Sequence, residues 1–137
     1  MKVYKWHNET FEVNLELILY RIKDKKSKKK TIRDMLEKGH TLADAEESVT
    51  EAASFCTQMC KGGTVGVYID LDSFSNCKHG SIALIQYLQH EIQHFKARVL
   101  DSIAENTERT DIEAHLRISD WAFKKCMSTK FFKSLLK

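Results

Sequence analysis

Five consecutive residues, His90-Glu91-Ile92-Gln93-His94, combine types and spacing that can do chemistry. They lie inside the run Ser81 to Ser102, whose apolar residues recur at helical spacing. On a helix, residues four apart stack on one face, so both imidazoles can reach one metal ion. Glu91 is turned about 100° from His90. That offset lets its carboxylate hold a metal-bound water without taking a ligand position. Zinc lowers the pKa of such a water toward neutrality, and the carboxylate can take its proton during attack on a carbonyl. With 6 His and 11 Glu in 137 residues, the pattern arises once in roughly fifty shuffled chains. Its surroundings must therefore decide between a site and a surface helix that carries two histidines.

The surroundings favour a site. On a helical wheel Ile82, Ile85, Leu88, Ile92, Phe95 and Val99 share a broad stripe, expected to face the core. His90 and His94 fall away from it, beside Ala83, Tyr87 and Ala97. Exposed helix faces elsewhere in the chain are crowded with Lys and Glu, whereas this face is small, aromatic or imidazole, as a cleft wall would be.

A tetrahedral catalytic zinc takes three protein ligands and keeps one open position. The third should come from a later element packed on this helix. Glu105, Glu108, Asp111, Glu113, His115 and Asp120 are the downstream candidates. Glu113 is favoured, because it follows His94 by 19 residues, room for the helix to end and the chain to return. Thr110-Asp111-Ile112-Glu113 is also a capping-box pattern, in which Glu113 would bond back to the Thr110 amide and need no metal. His115 is the backup ligand.

His90, Glu91, His94 and the pair Glu113-Ala114 resemble the zincin metallopeptidases, specifically the gluzincin branch, whose third ligand is a glutamate on a second helix. The resemblance spans Gly63 to Met127 and implies zinc held by His90, His94 and Glu113, with Glu91 as general base. Two features depart from it. The position four after the third ligand, acidic in larger gluzincins, is Arg117 here. The motif also assigns no oxyanion donor, for which Tyr68, Tyr87 and Arg117 are candidates. In size the chain is similar to compact H-E-x-x-H proteins of phage and prophage genomes.

Composition bounds the rest. A chain of 137 residues with 42% hydrophobic and 30% charged residues suits one globular domain. No apolar run nears the roughly 18 residues of a membrane span. Met1-KVYKWHNETFEV has no apolar signal region, so the cytoplasm is expected, or a virion for a phage protein. Cys56, Cys60, Cys77 and Cys126 lack the spacing of a disulfide scaffold and read as core thiols. The net charge of +3 is mild, and the lysine run from Lys23 to Lys30 reads as a solvated loop. Arginines and aromatics are not interleaved with it, so nucleic acid is not an expected partner.

The elements follow in order. Residues 2–7 and the alternating stretch 11–17 predict an antiparallel hairpin. Thr31-x-x-Asp34 predicts a short helix closed by Gly39, and Thr41-x-x-Asp44 a longer one reaching Met59, with Leu42, Ala45, Val49, Ala52, Phe55 and Cys56 on its buried face. Thr64 to Asp72 alternates as a half-polar strand whose free edge could pair with an extended substrate and whose Gly66 admits a close backbone. The motif helix and a last helix, from Thr110 to about Met127 with Ile112, Leu116, Phe123 and Met127 facing in, complete the body. Phe131, Phe132, Leu135 and Leu136 form a terminal apolar patch, which packs on the body or meets a protein partner.

The expectation is an α+β fold: a small mixed sheet, the H-E-x-x-H helix beneath its edge, and a second packed C-terminal helix. The expected function is a Zn2+-dependent hydrolase acting on a peptide or protein. The alternative is a catalytically silent zincin-like structural or interaction protein, for example of a phage particle or a host-directed inhibitor.

Overall fold

The structure, a computed structural model, describes residues 1–58, 63–75, 78–106 and 112–135; between 101 and 116 it describes the helix backbone only. The elements run β1 (Lys2–Asn8), β2 (Val13–Tyr20), α1 (Lys25–Glu37), α2 (Leu42–Glu51), β3 (Ser54–Gln58), β4 (Thr64–Asp70), a 3-10 turn (Leu71–Phe74), α3 (Gly80–Asn106), α4 (Ile112–Met127) and α5 (Lys130–Leu135). The strands form one mixed sheet in the order β1-β2-β4-β3. β1 and β2 make the expected antiparallel hairpin, β2 and β4 run parallel, and β3 returns antiparallel to β4. The fold is α+β, as the residue pattern predicts.

Helices cover both faces of this sheet. Leu15, Leu17, Val65 and Val67 pack with Leu88, Ile92, Phe95, Ile118 and Phe132 of α3 to α5. Ile18, Tyr20 and Tyr68 point the other way, onto Met35, Ala45 and Val49 of α1 and α2. β2 and β4 are therefore buried on both sides rather than half-buried, as strands between two helical layers must be. β4 lies between β2 and β3, so it has no free edge; that edge belongs to β3.

The lysine run is helix, not loop. Asp24 caps α1, accepting from the amides of Lys26 and Ser27, and unbranched lysines are good helix formers. Thr31 lies inside that helix, its hydroxyl donating back to the Ser27 carbonyl at 2.8 Å. Gly39, at φ 96°, closes it as expected. Thr41 caps α2, but the helix stops at Glu51. Phe55 belongs to β3, stacked on Tyr68 at 4.5 Å and edge-on to Tyr20. Packing on the sheet outweighs the helical periodicity there. Cys56 is thus a strand residue, and Cys60 lies outside the described residues.

Gly66 admits a ring rather than a backbone. A Cβ built there would stand 2.8 Å from Tyr68 Cε1. Tyr68 then reaches a buried polar network. Its hydroxyl donates to Asp34 at 2.5 Å and accepts from Lys38 at 2.8 Å. Lys38, only 5% exposed, also pairs with Asp34 at 2.6 Å and Glu16 at 3.5 Å. Asp70 and Asp72 are not a solvated strand face. Asp70 accepts from Ile22 N, Asp72 N and the Ser73 hydroxyl. Asp72 accepts from Lys23 N and the Arg21 guanidinium. Together they tie the β2–α1 loop to the turn after β4.

The terminal patch divides. Phe132 is fully buried in the core, whereas Phe131 and Leu135 stay partly exposed; Leu136 lies outside the described residues. In the described part of α4 the buried residues are Ile118, Ala122 and Cys126, with Phe123 and Met127 at the margin. Among the described residues, no helix is long and apolar enough to cross a membrane.

Candidate metal centre

α3 packs against β3 and β4, beneath the edge of the sheet. Leu84, Leu88, Ile92, Phe95 and Val99 form its buried stripe, while Ile82 is exposed and Ile85 only half-buried. The inward face is thus rotated slightly toward Leu84 and Glu91.

His90 and His94 lie exposed on the flank of α3, with their Nε2 atoms 3.0 Å apart and rings near perpendicular. Two nitrogens bound at about 2.0–2.1 Å to one tetrahedral ion would stand a little over 3 Å apart. Glu91 turns inward and is only 4% exposed. The three side chains bring their ligand atoms within 4.8 Å of one another. The two imidazoles are donors of the kind that bind divalent transition metals, and the Glu91 carboxylate stands beside them.

Glu91 is not a solvated helix residue. Its Oε2 accepts a 2.6 Å hydrogen bond from the Ser54 hydroxyl at the start of β3. A buried carboxylate is strongly disfavoured without such partners. One turn beyond His94, Arg98 donates from Nη2 to the Cys56 carbonyl at 3.1 Å, while its Nε is buried without a hydrogen-bond partner. His90, His94 and Arg98 therefore form an i, i+4, i+8 row that ends on the edge strand. Burial pushes the Cys56 thiol up to about 12; Arg98 opposes that shift and Glu91 adds to it. A thiol raised in this way is a poor nucleophile near neutrality.

The phase of β3 is set by the Asp70 amide, which bonds to the Ala53 carbonyl at 2.9 Å. Alternate peptide groups, those of Ser54, Cys56 and Gln58, then point away from β4 to the outer edge. Arg98 occupies one of these carbonyls.

α4 also packs against α3. Phe95 stacks with Trp121 at 6.4 Å. His90 shares a 370 Å³ groove with Ser119, Asp120 and Phe123 of α4. Asp120, one of the downstream acids, is thus the described α4 carboxylate that shares a groove with His90, although it does not join the close cluster of His90, Glu91 and His94. Glu113 stands in the first turn of α4, and its side chain lies outside the described residues, as do those of Glu105 and His115. Glu108 and Asp111 lie wholly outside them. Of the oxyanion candidates, Tyr68 is committed to Asp34 and Lys38 on the opposite face of the sheet. Tyr87 is exposed one turn before His90, edge-on to Phe74.

Ser54 and Arg98 were not legible as site residues. Ser54 falls where the periodicity predicts helix, and Arg98 carries no motif. Arg98 had one signal, its place four residues after His94.

No protein-family model, curated protein or solved structure matches the chain.

Proposed function

We propose that the protein is a zinc-dependent hydrolase acting on peptides. His90 and His94 hold the ion, and Glu91 is the general base. The observation that carries this reading is the division of labour along one helical turn. Two converging imidazoles face solvent, while the intervening carboxylate is buried and held by a hydroxyl from a second element.

Zinc, when bound, supplies a Lewis acid and a water of lowered pKa. The chain's own residues do the rest. Glu91 takes the proton of the attacking water and returns it to the leaving amine, with Ser54 keeping the carboxylate oriented. The outer edge of β3 pairs with an extended peptide at Ser54 and Gln58, and Arg98 holds that edge against α3. Asp120 and Glu113 compete for the third ligand position.

The test is elemental analysis followed by cleavage of a broad peptide library. Wild type should hold about one zinc per chain, lost in His90→Ala, His94→Ala. Glu91→Gln should keep the metal and lose hydrolysis by about 10²–10⁴-fold. Wild type that stays empty after refolding with zinc would sink the metal site. Zinc in both proteins with identical cleavage profiles would leave the alternative, a metal-bearing interaction protein. Asp120→Ala and Glu113→Ala, compared for zinc affinity, identify the third ligand.

A further inference from the structure

A different face of the molecule carries a second site. We propose that the groove beside α5 docks an acidic, amphipathic peptide segment of a partner protein.

Two adjoining hollows of about 520 and 370 Å³ share Arg21, Leu71 and Phe131. The floor of the larger hollow is mainly apolar, and that of the smaller mixes apolar side chains with Ser75 and Ser81. Leu19 and Phe131 line the larger hollow, and Leu84 and Leu135 the smaller. α5 explains why apolar surface remains there: it seals the core with Phe132 and leaves Phe131 and Leu135 partly exposed on its outer side. The rim is cationic, with Lys2 and Lys130 around one hollow, Lys78 at the other, and Arg21 between them. All four are exposed. Arg21 is held in place by Asp72 at 3.0 Å. Among the described residues, the one carboxylate lining either hollow is Asp24, already engaged as the cap of α1.

Charge and shape select the occupant. A cationic rim around an apolar floor complements a segment that alternates acidic and apolar side chains. A nucleic-acid backbone would satisfy the rim but leave the floor unfilled, and a planar bilayer cannot enter a hollow walled by the start of α1 and by α5.

Fluorescence anisotropy with a labelled peptide of alternating Glu and Leu tests this on the full chain. The peptide should bind saturably, and its Gln-for-Glu isostere should bind at least about tenfold more weakly. Lys2→Glu, Lys130→Glu should lower affinity by about tenfold or more, whereas Lys124→Glu, Lys125→Glu on the exposed side of α4 should leave it unchanged. Phe131→Ala, checked for an unchanged circular-dichroism spectrum, should weaken binding severalfold. No saturable binding, or equal loss in the α4 variant, overturns the proposal. So does tighter binding of phosphatidylserine vesicles or duplex DNA through the same rim, or a dimer of this chain that Lys130→Glu dissociates. None of these outcomes depends on zinc or hydrolysis.

Discussion

The Ser54 hydroxyl donates to Glu91 at 2.6 Å, joining the edge strand β3 to the helix that carries both histidines. The bond does two jobs: it compensates a buried carboxylate, and it orients that carboxylate beside the imidazoles. Hydrogen bonds to charged groups contribute about 1.5–3 kcal/mol. Ser54→Ala should therefore lower the unfolding free energy by about that amount in urea titrations. In a Glu91→Gln background the same change should matter less, because the charge is gone. Equal effects in both backgrounds would show that the two residues are not coupled.

Lys38 should be the most sensitive charged residue in the fold. It is 5% exposed and serves Glu16, Asp34 and the Tyr68 hydroxyl together. Lys38→Met leaves Asp34 without its cation and Glu16 with only the exposed Lys5 at 3.9 Å, which should destabilise by about 3–5 kcal/mol. Adding Glu16→Gln and Asp34→Asn should recover part of the loss. A single variant within about 0.5 kcal/mol of wild type would contradict the buried pairing.

Gly66→Ala places a methyl 2.8 Å from a carbon of the Tyr68 ring. That ring is fully buried and stacked on Phe55, so it has little room to yield. A loss of about 1–3 kcal/mol is expected from overpacking, read as a lower denaturation midpoint at unchanged slope.

Acid should loosen the turn after β4. At Asp72 burial disfavours the charge, but the Lys23 amide and the Arg21 guanidinium outweigh it and hold the carboxyl below its ordinary 3.8. A folded-state pKa below the unfolded one stabilises the fold above the unfolded value and is lost as pH falls through the folded one. Wild type should thus lose more stability than Asp72→Asn on going from about pH 4 downward. Parallel acid limbs for the two proteins, measured by urea midpoints, would refute the assignment.

Local pattern made the N-terminal hairpin, the α3 helix and the existence of α4 legible, because alternation and helical periodicity are properties of neighbouring residues. It failed from Ala52 to Gln58. There Phe55 and Cys56 continue the stripe of α2 in sequence, yet stacking of Phe55 on Tyr68 and pairing with β4 draw the segment into a strand. It failed again at Lys25 to Lys30, where composition suggested solvent while Asp24 supplied a cap.

For the candidate site, the chain by itself determined the order of donors. His90 and His94 must share a face and Glu91 must lie about 100° from His90, since helix geometry dictates both. What surrounds those donors is a matter of distant residues. Tertiary packing chose β3 rather than β4 as the neighbouring edge strand, brought Ser54 onto Glu91 across 37 positions, and placed Asp120 in a groove with His90. On the opposite face Tyr68 completes the Lys38 network with its hydroxyl. The strand alternation that sends it to that face is local, but which helices cover the face depends on the whole fold.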